Sequence, residues 1–573
     1  MIDGAPINVK DYGASPSASS ATNTTAIQAA LNAALSSGNA LEFNQGTYSH
    51  DGLVYTGGNL KLIGKNTVLS YTGVSDAFLV RSANNTNASG LNVSGITFKN
   101  GLSCFKVLGQ GTGIYSNISI TNCKFDTSTS GMLWMEQCSN AIIDGNLFEN
   151  AQDNGIYYSF SRDAVISNNI VRNCSGSGSI TVGYSSVNVI AQNIIIEGNE
   201  IFTDSAAPVA SIGYISGICA VYCQNVAINN NHISNGTTSI AGKQIKTGII
   251  LEEFTITNVT VQGNKISNMP EEGIRVGDNV NSLVSILKIV DNDIYQVRTH
   301  IDIARSFGVT IDGNTLRRST QEAIQLQATA GAITVTNNVI TDSSIQATFA
   351  AFSAIECFAY YVSIYNNTFI DSEFGGFINS TAATPTYSVA ADGTLTLFQV
   401  GVAVATISTI GRTWELVKND VNAVTNWQLS LYPTCNSYTV EYIRRTGHRW
   451  EDNVQQYNIA NHLGTPEPYA YINVGSASSS VTIRGNKYST KTLDLPNHHR
   501  NTTLYELQSD TLSDVGAIGA QRVFAASAAP TVGNWLRGDV VYDTAPSASG
   551  FVGFVCVASG APGTWKTFGA ISA

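Results

Sequence analysis

Apolar and polar positions alternate in short runs along most of this chain, and the runs end on one recurring phrase. An alternating stretch is followed by a Gly-Asn, Asn-Asn or Asp-Asn pair or a close variant, then one residue, then an apolar one. It reads IIDGNLF, VISNNIV, IIEGNEI, AINNNHI, TVQGNKI, KIVDNDI, TIDGNTL, TVTNNVI, SIYNNTF and VTIRGNKY. The second asparagines are Asn146, Asn169, Asn199, Asn231, Asn264, Asn292, Asn314, Asn338, Asn367 and Asn486, at intervals of 22 to 33 residues up to Asn367. One turn of a solenoid with three short strands needs about that length, and insertions account for the longer turns. Hairpin turns of a sandwich would instead demand a partner strand after every pair, at shorter spacing. The pattern predicts an all-β chain folded as a right-handed parallel β-helix, with about ten coils over residues 85–375. Coils stacked at roughly 4.8 Å bring the asparagines into one interior column, each amide bonding to its copies above and below. Ile96 and Cys123 hold the equivalent place in earlier coils.

A second phrase precedes the asparagines: DNGIYYS, ISGICAV, KTGIILEE, EEGIRVGD, RTHIDIAR, QEAIQLQ and FSAIECF. Its Ile points inward, so the next residue points outward. That outward position holds Tyr157, Cys219, Ile250, Arg275, Asp302, Gln325 and Glu356. Two residues on come Ser159, Val221, Glu252, Gly277, Ala304, Gln327 and Phe358.

The ends read differently. Within residues 1–50, Ile27, Ala30, Leu31, Ala34 and Leu35 fall on one helical face after a Ser/Thr/Asn-rich start. Such a helix caps the open apolar end of a solenoid. The β-helix proper is expected over 51–379. The gap between Asn367 and Asn486 holds runs such as SVAADGTLTLFQV and SYTVEYIRR, which predict an inserted β-rich module over 380–475. Residues 476–520 supply the last coil and a linker, and the strand–turn rhythm of 521–573 predicts a small C-terminal β domain.

Composition narrows the function. Charged residues are only 12%, so Asn, Ser, Thr and Gly supply the polar surface. A net charge of −11 lacks the basic footprint that nucleic acid demands. Without a long apolar run or a signal-peptide layout over Met1–Ala14, neither membrane insertion nor secretion from the cytoplasm of synthesis is expected. Nine scattered cysteines predict reduced, buried thiols. Cys219 and Cys223 lack a second pair or nearby histidines, so neither zinc nor another cofactor is expected.

The opening Val9-Lys10-Asp11-Tyr12-Gly13-Ala14 and Thr25-Ala26-Ile27-Gln28-Ala29-Ala30-Leu31, taken with the coils, resembles the pectate-lyase-type β-helix family of bacteriophage tailspikes and capsular polysaccharide depolymerases. The likeness covers roughly residues 7–380 and 476–490. The tail is similar to the terminal module of capsule-degrading tailspikes. This resemblance implies a virion protein that is a homotrimer clamped by its C-terminal tail. It further implies attachment to the phage particle through an N-terminal domain not visible before Ile7, and a bacterial surface polysaccharide as partner.

No P-loop, GxSxG, HExxH or dinucleotide fingerprint is present. The outward columns instead gather Glu252, Arg275, Asp302 and Glu356, with Glu253, Asp278, His300, Arg305 and Glu322 at their edges. Asp302 and Glu356 are expected two coils apart, roughly 9–10 Å at the strand spacing. Inverting glycosidases keep acid and base about 6.5–9.5 Å apart. Glu356 is thus the expected proton donor, with Asp302 or Glu252 activating water. Arg275 is expected to bind an acidic or hydroxyl group of the sugar, and Tyr157 to stack on a ring. Arg305, His300, Glu253, Gln325 and Glu322 are further candidate substrate contacts. The plainer alternative is that the acids solubilise the coils or blunt strand pairing.

Three functions follow. The leading expectation is an endo-acting glycoside hydrolase on capsular or O-antigen polysaccharide. A polysaccharide lyase on the same fold would lean on Arg275, Arg305 and His300 to neutralise a uronate. A non-catalytic adhesin would hold glycan without cutting it.

Overall fold

The computed structural model describes residues 5–174, 176–184, 191–204, 216–236, 244–252, 255–277, 283–341 and 354–370. Beyond these it describes 376–380, 385–389, 394–399, 402–409, 412–425, 427–431, 448–451, 454–459, 472–474, 479–484, 486–488, 504–508, 516–518, 521–532 and 535–572. The chain divides into two compact units, Met1–Val297 with Ile301–Thr310, and Arg298–His300 with Ile311–Ala573.

Unit 1 opens with helix α1 (Ser20–Ser37), which starts where the Ser19 side chain accepts the Thr22 N–H and stops at Gly38 in the left-handed conformation. It buries Ile27, Ala30, Leu31 and Ala34 as expected, while Leu35 stays exposed. Three rows of parallel strands follow. The first row includes Cys138–Asp144, Arg162–Ser167, Ala191–Glu197 and Cys223–Asn229, each paired in register with the next. The second row includes Lys124–Ser128, Leu147–Ala151, Ile170–Arg172 and Glu200–Thr203. The third row includes Leu133–Glu136, Ile156–Ser159, Ile180–Gly183, Ser216–Val221 and Thr247–Glu252.

The polar pair sits between the first and second rows, and its two members do different work. The first member must turn the chain at positive φ: Gly145 (66°), Asn168 (53°), Gly198 (64°), Asn230 (54°) and Gly263 (67°). Gly, or Asn and Asp with their short polar side chains, take that region cheaply, so these residue types recur, Asp291 included. The second member turns inward. Asn146, Asn169, Asn199, Asn231, Asn264 and Asn292 form one buried column. Asn199 Nδ2 donates to Asn231 Oδ1 at 2.9 Å and to Ile166 O at 2.9 Å, while its backbone N–H donates to Asn231 Oδ1 at 3.0 Å. Both polar atoms of each amide are thereby used, which removes the cost of burying them. Cys123 takes this place one coil earlier, its N–H donating to Asn146 Oδ1. Beside the ladder the core stacks phenylalanines, with Phe98–Phe125 at 5.4 Å and Phe125–Phe148 at 4.7 Å.

Unit 2 repeats the arrangement. Asn314 donates to Asn338, Asn338 to Asn367, and Asn367 to Asn486 at 3.0 Å. The last bond spans 119 residues, so the chain returns to the same column after its long excursion. The third row here runs Ile324–Leu326, Ile355–Cys357 and Ile472–Val474. The row resumes at Ile472, four residues before the 476 read from sequence. The excursion forms a four-stranded antiparallel sheet, a three-stranded antiparallel sheet and a helix, α2 (Trp414–Asn422), which the strand patterns had not indicated. A five-stranded sheet over Gly516–Ala570 ends the chain. The fold is the expected all-β, right-handed parallel β-helix with an N-terminal helix and a small C-terminal sheet.

Candidate active site

The third row carries the outward columns. In unit 1 one column runs Trp134, Tyr157, Thr181, Cys219, Ile250 and Arg275. Thr181 belongs to a coil, SGSITVG, that the sequence phrases passed over. This column is not the open face that alternation implies. Thr181, Cys219 and Ile250 are buried, and Val221 and Ile250 pack with Cys219 against Tyr184 and Tyr222. Tyr157 was expected to offer a ring face to sugar. It instead stands half-buried in an aromatic row, with Trp134 at 4.0 Å and Tyr184 at 6.0 Å between centroids and both rings tilted against it, while Lys106 lies over Trp134 at 5.4 Å.

Arg275 needs a second correction. It is 5% exposed, and its guanidinium lies 3.1 Å from Glu252 Oε2 and 3.7 Å from Glu272 Oε2. Thr247 Oγ1 also donates to Glu272 Oε2 at 2.9 Å. A guanidinium held by two carboxylates is not open to an acidic sugar. Ala304 N–H reaches Val276 O at 2.8 Å as Gly277 N–H reaches Leu251 O at 2.8 Å. The repeated register sets half-buried Asp302 beside Arg275 in the column. Arg305 is half-buried, with φ of 41°. Glu253 and Asp278 lie outside the described residues.

Unit 2 holds Glu322, Gln325, Glu356 and His300. Glu356 is half-buried in the outward column, next to Gln325 in register, and Gln325 Nε2 donates to Glu356 Oε2 at 3.4 Å. Glu322, expected at the edge of an exposed patch, is 2% exposed. Thr299 Oγ1 donates to Glu322 Oε2 at 3.3 Å. Burial first, and the neighbouring Glu356 charge after it, push Glu322 up to about 7. His300 is fully buried, its Nε2 3.0 Å from Arg317 O, so it is part of the interior and not a substrate contact. Asp302 belongs to unit 1 and Glu356 to unit 2. Among the described residues no group of His, Cys, Asp or Glu could hold a metal ion.

Glu272, Thr247 and Thr299 were missed from sequence. The signal was present: each stands two residues before the inward Ile of its phrase, in EEGI, KTGI and RTHI.

These coils define a β-helix with acids along one strand row. Residues 52–241 and 216–391 match the family model described as right-handed beta helix region, more than half of the 573 residues, and the chain belongs to that family. No curated protein matches it. Among solved structures it is similar to the catalytic unit of a GH87 alpha-1,3-glucanase from Streptomyces thermodiastaticus, at 17% identity and a TM-score of 0.38. That match covers 64% of this chain and 63% of the other, so this chain spans less than two thirds of that unit. It is also similar to PfbA, a surface adhesin of Streptococcus pneumoniae, at 13% identity, TM-score 0.40 and coverage of 71% and 100%. The Dettilon tailspike protein gives 13% identity, TM-score 0.41 and coverage of 70% and 77%.

Proposed function

We propose that this chain is an endo-acting glycoside hydrolase that cuts a bacterial capsular or O-antigen polysaccharide, with Glu356 as its proton donor. The observation that supports this is the half-buried Glu356 on an outward column, held beside the Gln325 amide at 3.4 Å, where a carboxyl can reach a bound glycan. A lyase would need a cation free to neutralise a uronate. Arg275 is engaged by Glu252 and Glu272, and His300 is buried, which leaves half-buried Arg305 as the candidate cation for that reading. The same reading makes the chain a homotrimeric tailspike of a phage particle, for which a monomer mass by light scattering would be the contrary result.

The test is to incubate the full chain with purified capsular polysaccharide and size the glycan. Shortened chains without an ultraviolet-absorbing unsaturated product are expected. Glu356→Gln should slow cutting by at least about 10²-fold, the usual scale for a lost general acid, at an unchanged thermal midpoint. Glu252→Gln and Asp302→Asn, measured alongside, test whether a unit 1 carboxylate takes part. An unsaturated product would make the chain a lyase, and glycan bound but uncut would make it an adhesin.

A further inference from the structure

Each coil turns at positive φ where one strand row gives way to the next. Between residues 115 and 230 most corners make that turn on Asn, Gly, Asp or Thr. The first row, for example, turns on Asn117 (56°), Asn140 (52°), Asp163 (54°), Asn193 (55°) and Asn225 (54°). The end of the third row is different. Gln137 (52°), Phe160 (48°), Tyr184 (55°) and Tyr222 (41°) each follow directly on the last residue of a third-row strand. Backbone bonds put them at one place on successive coils: Gln137 N–H donates to Ser159 O, Phe160 N–H to Gly183 O and Tyr184 N–H to Val221 O. A bulky side chain at positive φ costs backbone energy that glycine or asparagine would avoid, and such strain collects at functional sites.

What the strain secures is a row of rings. Phe160 and Tyr184 lie 6.5 Å apart, Tyr184 and Tyr157 6.0 Å, and Tyr157 and Trp134 4.0 Å between centroids, every pair tilted. All four, and Tyr222 with them, are half-buried and keep part of their surface in solvent. From Trp134 to Tyr222 the row crosses four coils, roughly 14 Å at the strand spacing of about 4.8 Å. All of it belongs to unit 1. Part of the row serves the fold, since Tyr184 and Tyr222 pack on Cys219, Val221 and Ile250. Phe160 does not belong to that cluster, and an asparagine would make its turn more cheaply.

We infer that this row is a glycan-binding subsite, on which the C–H faces of uncharged sugar rings rest. Aromatic side chains with an apolar body and a polar tip suit a ligand that is apolar on its faces and polar at its rim. Trp134 Nε1 donates to Glu136 Oε1 at 2.7 Å, which fixes the indole and sets a carboxylate beside it. Lys106 lies over Trp134 at 5.4 Å and is matched by Asp76 at 3.2 Å. These charges sum against an acidic sugar, so the ligand is a neutral segment of the polysaccharide. The inference rests on the surface-polysaccharide reading, and it holds whether the chain cuts that glycan or only keeps it.

The test sets binding beside thermal midpoint for the full chain, with purified neutral and uronate-bearing capsular polysaccharides fixed to a biosensor surface. Wild type should be held by a neutral glycan. Phe160→Asn should weaken that binding about fivefold or more, the loss of one ring contact. Its midpoint should stay or rise, because Asn takes a φ of 48° cheaply. Phe160→Tyr, which keeps the ring, should bind as wild type does. Ile286→Asn relieves the same strain (φ 55°) at an exposed residue of the first row and should leave binding unchanged. Wild-type affinity in Phe160→Asn, or a joint loss of affinity and stability, would overturn the subsite. So would a wild-type chain held only by uronate glycans, or by none of the set. Glycan held through Phe160 but never shortened would leave the subsite standing and remove the hydrolase reading. Glycan shortened by a Phe160→Asn variant of unchanged affinity would do the reverse.

Discussion

Glu272 in unit 1 and Glu322 in unit 2 occupy the same place in their coils, two residues before the inward Ile. Each is buried, and each accepts a hydroxyl from a threonine, Thr247 at 2.9 Å or Thr299 at 3.3 Å. Three residues further on the two diverge: Arg275 follows Glu272, and Gln325 follows Glu322. Beside Glu272 a guanidinium bridges two carboxylates. Beside Glu322 the column carries the neutral Gln325 amide, and burial first of all pushes Glu322 up to about 7. One coil position thus gives an ion cluster in one unit and a glutamate with a raised pKa in the other, and the two differ in the column residue at i+3.

The largest expected effect comes from breaking the ion cluster. Arg275→Met leaves Glu252 and Glu272 facing each other in a site with little water, and removing one partner of a buried pair costs about 3–5 kcal/mol. A fall in stability of that size should appear in denaturant unfolding at neutral pH. Glu272→Gln likewise removes a partner of the buried Arg275, whereas Glu322→Gln, at the matching place in unit 2, should cost far less at pH 7, since the residue it replaces already carries a proton much of the time. Equal losses in the two variants would mean that the two glutamates are not chemically different.

The fold was legible because backbone and side chain both constrained the repeat. A positive-φ turn admits few residue types, and a buried amide beside its copies admits fewer, so the pair stood out in coil after coil from Asn146 on. A second, exposed ladder was legible in the same way and overlooked. Asn258 donates to Asn225, Asn225 to Asn193 and Asn193 to Asp163, all at positive φ in the first row. The site was half legible. Alternation told which residues leave the core, and so found Glu356, Arg275 and Asp302. It could not tell what covers them, which is why Cys219, Ile250 and Arg275 prove buried. Nor does strict alternation hold at a coil corner, where Glu272, Glu322 and His300 turn inward.

Next in size is the exchange that the comparison invites. Gln325→Arg places at the Glu322 site the residue that stands beside Glu272. Raised to about 7 in the folded chain from the ordinary glutamate value of about 4.3, Glu322 contributes stability that is complete below about 4.3 and lost as pH rises through about 7. A guanidinium there would favour the ionised form of Glu322. Glu322 should fall from about 7 toward the ordinary carboxylate range, which flattens the midpoint decline between about 4.3 and 7. A slope identical to wild type would show that the i+3 residue does not set the charge state.

The smallest effects fall on the two threonines, and their order tests the comparison most finely. Thr247 donates to a carboxylate bridged to arginine, so Thr247→Val breaks a bond to a charged group, worth about 1.5–3 kcal/mol. Thr299 donates to a carboxyl that carries a proton through much of the neutral range, over a longer 3.3 Å. Thr299→Val should therefore cost only about 0.5–1.5 kcal/mol, the range for a neutral hydrogen bond. Its second consequence has the opposite sense. The Thr299 hydroxyl favours the charged form of Glu322, so its loss raises Glu322 further and carries the midpoint decline to higher pH. Calorimetric midpoints across pH decide the matter: a decline that stays in place or moves to lower pH would show that Thr299 does not act on Glu322.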